Sequence, residues 1–351
     1  MKSNMKPLKV AVVGCGNVSG THLRNMKASP RFEVVGVADV VEAAAQRRVK
    51  EFGVARCTTR YKDLLADKDV EAIFVLTPPA SHAEVSVAAL RAGKHVFCEK
   101  PLAMTSQQCR AIVAAQRKSR RTFLLGYPMR HSRDALNLRE QIRSGRIGRP
   151  VFFRDVWALC KGSPSPAIHD ARLGGGVLYE HTHWVDFVNF TFGPARKVYA
   201  SMTRFKPDKT TAPDTFVAII DFRSGDQAVW SESWAAKGLG WDPLCVGRHV
   251  RPTTDVIGPK GSIHFPARDG KKVLALYEAD AQSGEPTEQW EWESDWAANT
   301  AGYVAEIDHF YECVRDGAKP RCTAADGLAA IELVEAITRS SRTGKPVLLK
   351  G

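Results

Sequence analysis

The sequence predicts an α/β protein in two parts: an N-terminal doubly wound parallel sheet over residues 1–126 and a C-terminal α+β domain over residues 127–351. Three observations carry this. Up to Gly126, apolar runs of strand length alternate with helix-compatible stretches, which is the spacing of βαβ units. Beyond Tyr127 several alternating apolar runs follow one another with no helix between them, as in a mainly antiparallel sheet. The 351 residues, 44% of them hydrophobic, supply enough material for two cores.

Bulk properties narrow the function classes. No apolar run approaches the roughly 20 residues of a membrane span, and Met1 to Lys9 is polar and basic with no signal-peptide core behind it, so the cytoplasm is expected. Eight cysteines (15, 57, 98, 109, 160, 245, 313, 322) show neither CxxC pairs nor ligand spacing, so no disulfide framework and no zinc knuckle is expected. The net charge is +12, and its densest cluster, Arg117-Lys118-Ser119-Arg120-Arg121, lies at a helix end where cations complement the dipole. No nucleic-acid motif accompanies it, and nucleic acid is not expected as a partner.

Taken in order, Leu8 to Val13 is a buried-type strand followed at once by Gly14-Cys15-Gly16-Asn17-Val18-Ser19-Gly20 and a helix. Strand, glycine loop and helix make up the dinucleotide-binding (Rossmann) arrangement, in which the glycines let the backbone approach a pyrophosphate at the helix N-terminus. Here Ser19 stands at the third glycine position, with Gly20 one later. The next strand, Glu33 to Ala38, ends in Asp39, 23 positions beyond Gly16 and close to the offset of about 20 for the ribose-binding acid. A carboxylate there accepts from a ribose 2′-OH and repels a 2′-phosphate, which favours NAD, while Arg47 and Arg48 on the following helix keep NADP in view. Val70 to Leu76 is a third strand, ending in Thr77-Pro78-Pro79-Ala80-Ser81-His82. Ser81 with Glu84 reads as a capping box, and His82 as a first-turn residue with a positioning role near the cofactor.

The fourth strand carries the chemistry. His95-Val96-Phe97-Cys98 ends abruptly in Glu99-Lys100-Pro101, and in an open parallel sheet ligands sit outside the carboxyl ends of strands. Pro101 stiffens the turn that holds Lys100; the bland alternative is a solvated lysine before a proline. Thr105 with Gln108 opens another helix, and Thr122 to Leu125 closes the sheet. The cofactor contacts expected are thus Gly14, Gly16, Asn17, Val18, Asp39, Thr77, Pro78, His82, Glu99 and Lys100.

In the second part a helix spans about Ala135 to Arg143, and strands follow at Val151–Leu159, Lys197–Arg204, Thr215–Phe222, Ala228–Trp234, Thr254–Ile257, Ser262–Phe265, Lys272–Tyr277 and Gln289–Trp292. Helices at Tyr303–Val314 and Ala324–Ser340 cover part of the sheet, and Lys237–Pro252 reads as a long functional or interface loop. The informative stretch is Gly174-Gly175-Gly176-Val177-Leu178-Tyr179-Glu180-His181-Thr182-His183-Trp184-Val185-Asp186. On a regular helix Glu180, His183 and Asp186 share a face, and an imidazole beside a carboxylate is a tunable general base. A buried helix whose polar residues satisfy one another is the plain alternative. His181 points off that face, so a metal site from Glu180, His181 and His183 is not expected.

With Gly14-x-Gly16, Asp39, Glu99-Lys100-Pro101 and the glycine run before His183-x-x-Asp186 in this order, the whole chain resembles the glucose-fructose oxidoreductase/inositol dehydrogenase (Gfo/Idh/MocA) family. Gly145-Arg146-Ile147-Gly148, Ile257 to Ser262, Ala325 to Leu328 and Arg342 to Val347 are similar to family segments. The resemblance implies an open C-terminal sheet making homo-oligomer contacts, NAD(P), and oxidation or reduction of a secondary alcohol on a sugar, sugar derivative or cyclitol. It implies catalytic roles for Lys100 and His183, a cis Lys100-Pro101 bond, and a substrate pocket bordered by Tyr127 and Arg130. One feature departs from the family. The segment from Gly176 to His183 is one residue short, so counting from the glycine gives Glu180 as the third catalytic residue and counting back from the histidine gives Tyr179. Glu180 is preferred because only a carboxylate orients and charge-stabilises an imidazole, with Tyr179 left to the substrate. Two other functions fit the same residues: an NAD-dependent glycosidase of this family type, and a non-catalytic NAD-responsive regulator.

Overall fold

The structure is a computed structural model and describes residues 6–158, 166–235, 253–265, 273–279, 285–291 and 300–349. The chain forms two compact units, residues 1–132 with 300–331, and residues 133–299 with 332–351.

The first unit alternates strand and helix as the sequence pattern requires. Its elements are β1 (Leu8–Val13), α1 (Asn17–Ala28), β2 (Phe32–Ala38), α2 (Glu42–Phe52), β3 (Cys57–Thr58), α3 (Tyr61–Ala66), β4 (Ala72–Val75), α4 (Pro79–Arg91), β5 (His95–Glu99), α5 (Ser106–Ser119) and β6 (Phe123–Gly126). All strand pairs are parallel in the order β3-β2-β1-β4-β5-β6, so the sheet winds outward both ways from β1 and β4. The Thr105 and Gln108 capping box is present in full at the head of α5. The Ser81 and Glu84 box is not: α4 begins two residues earlier, with Pro79 in its first turn where the missing N–H costs nothing. Ser81 Oγ donates instead to the Pro78 carbonyl, and Glu84 accepts from the Tyr61 hydroxyl.

The second unit contains α6 (Arg133–Arg143), β7 (Phe152–Ala158), α7 (Val177–Glu180), α8 (Thr182–Phe192), β8 (Ala195–Thr203), β9 (Thr215–Phe222), β10 (Gln227–Ser233), β11 (Thr253–Gly258), β12 (Gly261–Phe265), β13 (Val273–Glu278) and β14 (Glu288–Glu291). Its sheet runs β14-β13-β12-β11-β7-β10-β9-β8-β15, with β15 at Val347–Leu348. Among the described strands every neighbouring pair is antiparallel except β7 with β10. The predicted strand ends at Leu159, Lys272 and Trp292, and the Lys237–Pro252 loop, lie outside the described residues.

Two long helices close the chain, α9 (Thr300–Arg315) and α10 (Ala324–Thr343). Read along the sequence, both follow Tyr127, yet α9 packs into the first unit. Ile307, Phe310, Tyr311 and Cys313 join Leu8, Val10, Leu23 and Met26 in one buried cluster, and Phe310 meets the stacked Phe74–Phe97 pair edge-on at 5.4 Å from Phe74. Apolar periodicity says that a helix buries a face; it does not say which sheet receives it. Phe310→Ala is expected to cost about 3–5 kcal/mol in unfolding free energy by guanidinium titration, the usual range for a fully buried aromatic. An unchanged midpoint would contradict the placement.

Candidate active site

In the first unit the expected cofactor residues collect at the carboxyl ends of the strands. Gly14 has φ +99°, and a Cβ there would lie 2.5 Å from the Leu76 carbonyl carbon, so the turn after β1, pressed against the end of β4, admits only glycine. Gly16 is different: nothing lies within 4 Å of where its Cβ would be, and Gly16 and Asn17 are exposed at the start of α1 with Val18 half-buried behind them. Open space before a helix N-terminus suits a pyrophosphate, because the unpaired amides point there. Ser19 donates to the Gly16 carbonyl at 2.6 Å.

Asp39 stands at the tip of β2 and is tied into this loop. Its Oδ2 accepts from the Cys15 N–H at 2.7 Å and its Oδ1 from the Val41 N–H at 2.9 Å. A carboxylate oxygen has a second lone pair, so both remain able to accept ribose hydroxyls. The two arginines that kept NADP in view have structural work. Arg48 is buried and donates to Ser19 Oγ, the Gly16 carbonyl and Glu51, and Arg47 donates to the Cys15 carbonyl at 3.1 Å.

At the tip of β4, Thr77 is half-buried and Pro78 exposed. His82 is fully buried. Its ring lies 2.7 Å from both the Thr77 and the Pro101 carbonyls, bridging the tips of β4 and β5. Burial holds its pKa below the usual imidazole range, so the ring is neutral and donates to one carbonyl at a time.

Glu99 ends β5 and is buried. One oxygen meets His22 Nε2 at 2.7 Å and the other accepts from the backbone N–H of Lys100 at 3.0 Å. Glu306 of α9 completes a buried trio in which one ligand atom from each of His22, Glu99 and Glu306 lies within 4.8 Å of the others. Burial first, and the Glu99 charge second, drive the Glu306 pKa well above the usual carboxyl range, so this acid is neutral. Lys100 follows, half-buried, on a cis Lys100–Pro101 bond as expected. Tyr127 and Arg130 are buried, and Arg130 donates to Asp326 at 3.0 Å and to the Arg321 carbonyl at 2.8 Å.

The second unit carries the other half of the expected residues. Backbone packing explains the glycine run: a Cβ on Gly174 would meet Ile168 Cα at 2.4 Å, and one on Gly176, at φ +85°, would meet the Pro213 carbonyl at 2.4 Å. Tyr179 covers Gly175, whose Cβ would lie 2.4 Å from the Tyr179 ring. The helix beyond is not regular. It breaks at His181, which has φ −94° and ψ 24° and caps both α7 and α8, while the Thr182 hydroxyl donates back to the Tyr179 carbonyl. Glu180 therefore ends one helix and His183 and Asp186 lie in the next, so the single regular helix that the spacing assumed is interrupted between them. His183 and Asp186 are buried, and Tyr179 and Glu180 half-buried.

Sequence reading missed three polar groups that the structure brings forward. His22 and Glu306 sit among apolar helix residues and gave no signal of their own. Glu232 lies 2.9 Å from His181 at 1% exposure, and its position in phase with Ala228 and Trp230 was a readable anomaly.

The geometry defines a Rossmann-type parallel α/β unit and a second α/β unit with a mainly antiparallel sheet. Residues 8–127 match the model of the oxidoreductase family with the NAD-binding Rossmann fold, and residues 139–349 match that family's C-terminal α/β domain. The chain belongs to the Gfo/Idh/MocA oxidoreductase family. It is 27% identical to inositol 2-dehydrogenase of Salmonella typhimurium, over 98% of this chain and 97% of that protein. It is 25% identical to D-apiose dehydrogenase of Paraburkholderia graminis, over 99% and 91%. Among solved structures, GenD2 from gentamicin A biosynthesis, in complex with NAD, superposes with a TM-score of 0.83 at 25% identity, over 100% of this chain and 99% of that one. Levoglucosan dehydrogenase has the same fold, with a TM-score of 0.82 at 22% identity, over 98% and 100%.

The wild-type protein is expected to bind NAD more tightly than NADP, measured as dissociation constants by titration. Asp39→Ala should narrow the gap from both sides, weakening NAD about 10-fold through lost charge-assisted bonds while relieving repulsion of the 2′-phosphate. Comparable wild-type constants would sink the assignment of Asp39.

Proposed function

We propose that this protein transfers a hydride between a secondary alcohol of a sugar, sugar derivative or cyclitol and NAD. The observation that carries the reading is Lys100, a cation on a braced turn at the carboxyl end of β5 in the NAD-binding unit. The two dehydrogenases named above, acting on inositol and D-apiose, support the substrate class. When bound, NAD supplies the hydride acceptor. His183 takes the proton of the substrate hydroxyl, and Lys100 stabilises the alkoxide that develops as the carbon–hydrogen bond breaks. Glu180 orients the imidazole and holds its charge. After the helix break at His181, chemistry rather than spacing favours it over Tyr179, which together with Tyr127 and Arg130 serves substrate binding.

The compartment proposed is the cytoplasm. No described helix is long and apolar enough to cross a membrane, and Cys15, Cys57, Cys98 and Cys313 carry free thiols. A homo-oligomer through the second unit's sheet is also proposed. Tyr199, Val217, Ile219, Ile257 and Phe152 alternate onto one sheet face at 36–46% exposure, an apolar strip large for a free surface.

Incubating purified protein with NAD and a panel of sugars and cyclitols tests the activity. Net NADH formation is the expected result; sugar release without it would mean a glycosidase, and cofactor binding alone a regulator. Lys100→Met and His183→Asn should each lower turnover about 10²- to 10⁴-fold, with NAD affinity kept in His183→Asn. Glu180→Gln should cost far more turnover than Tyr179→Phe, and the opposite ranking would hand the orienting role to Tyr179. Tyr199→Asp combined with Ile219→Asp should reduce the mass measured by light scattering to that of the monomer; an unchanged mass would remove this face from the interface.

A further inference from the structure

Two carboxylates of the second unit stand where its strands should bury apolar groups. Asp155 on β7 keeps the phase of Phe153, and Glu232 on β10 that of Ala228 and Trp230, with exposures of 0% and 1%. Burying such groups is costly unless each is bonded, which makes them candidates for functional positions. Asp155 accepts from Thr254 Oγ1 at 2.7 Å. Glu232 is only half provided for. Its Oε1 takes both the Trp234 indole N–H at 3.0 Å and His181 Nε2 at 2.9 Å, while its Oε2 has no hydrogen-bond partner among the described residues.

His181 is the member of this group that reaches the surface, with its side chain 19% exposed. The helix break explains how. As the residue joining α7 and α8, His181 drops out of the helical register and its imidazole turns to the sheet, with the Trp157 and Trp234 rings at 6.4 and 6.3 Å. At 2.9 Å the carboxyl engages Nε2, which leaves the other ring nitrogen, Nδ1, for a hydroxyl, which both donates and accepts. The half-buried Trp157 ring beside it offers apolar surface suited to the C–H face of a sugar or cyclitol, with the buried Trp234 ring behind.

We infer that His181 is a specificity-determining residue that binds a non-reacting ring hydroxyl of the polyol, and that Glu232 is the positioning residue that holds its imidazole. The inference rests on the reading of the protein as a polyol oxidoreductase. A site that hydrogen-bonds a hydroxyl discriminates strongly against an analogue lacking it, because its polar groups are then left unpaired.

The test uses His181→Asn and Glu232→Gln, both near-isosteric, with melting temperatures recorded as a folding control. Rates are measured on the panel polyol that turns over best and on its deoxy analogues, each lacking one non-reacting hydroxyl. In parallel, quenching of tryptophan fluorescence by the same polyols is followed on the NAD-loaded protein. For His181→Asn the expected result is a KM raised about 10-fold or more, with kcat within a few-fold and NAD affinity unchanged. Wild-type discrimination against one deoxy analogue should disappear in the variant. Glu232→Gln should give a smaller change in the same direction. A folded His181→Asn with unchanged KM and unchanged deoxy discrimination overturns the inference. Polyol quenching that is lost in His181→Asn, without NADH formation by wild type, would keep the binding role and remove the oxidoreductase reading. If no polyol either turns over or quenches, both fall.

Discussion

The buried carboxylate of Glu99 is the constraint on which the first unit's site depends. Through His22 it is tied to α1, the helix that begins at the open space beside Gly16; through its other oxygen it holds the backbone of Lys100. His22 is enclosed by Phe97 and Tyr303 at ring distances of 5.2 and 5.6 Å, and in that apolar shell hydrogen bonds are strong and hard to exchange for water. The same enclosure, with the Glu99 charge second, pushes the Glu306 pKa well above the usual carboxyl range. His82 adds a brace between the tips of β4 and β5. The lysine thus stands on a turn fixed by buried groups, which is the preorganisation that the proposed stabilisation of an alkoxide needs.

The second unit meets the same demand differently. Its glycine run is forced by backbone contact with Ile168 and Pro213, so the chain enters α7 in one fixed orientation. The single missing residue before His183 is taken up by breaking the helix at His181. That break keeps His183 and Asp186 buried on α8 and releases His181 to the carboxylate of Glu232. A shortened segment has become a second imidazole–carboxylate pair rather than a disrupted site. Burial of Asp155 raises its pKa to about 7.

Much of this was legible beforehand because it follows from local chemistry. β1 and β9 run over the residues that apolar patterning marks, and the Thr105 cap, the Asp39 position and the Lys100 turn all follow from short-range rules. What was not legible depends on long-range placement. Nothing in the periodicity of α9 says that Phe310 packs on Phe74, and nothing near His22 announces a glutamate 77 residues away. The Ser81 cap failed because Pro79 is a competent helix start two residues earlier. The regular helix through Glu180 failed because helical spacing was assumed across a segment already known to be one residue short. Glu232 and Asp155 could have been found, since acids in the apolar phase of a strand are visible by eye once the phase is counted.

The central claim is that carbon-bound hydrogen leaves the substrate as hydride and arrives on the nicotinamide. A polyol deuterated at the reacting carbinol carbon, incubated with the protein and NAD, tests this by mass spectrometry of the recovered cofactor. The account predicts one deuterium on the nicotinamide ring of each NADH formed, with none lost to solvent. Deuterium appearing in water, or a cofactor recovered only as unlabelled NAD while substrate is consumed, would contradict it.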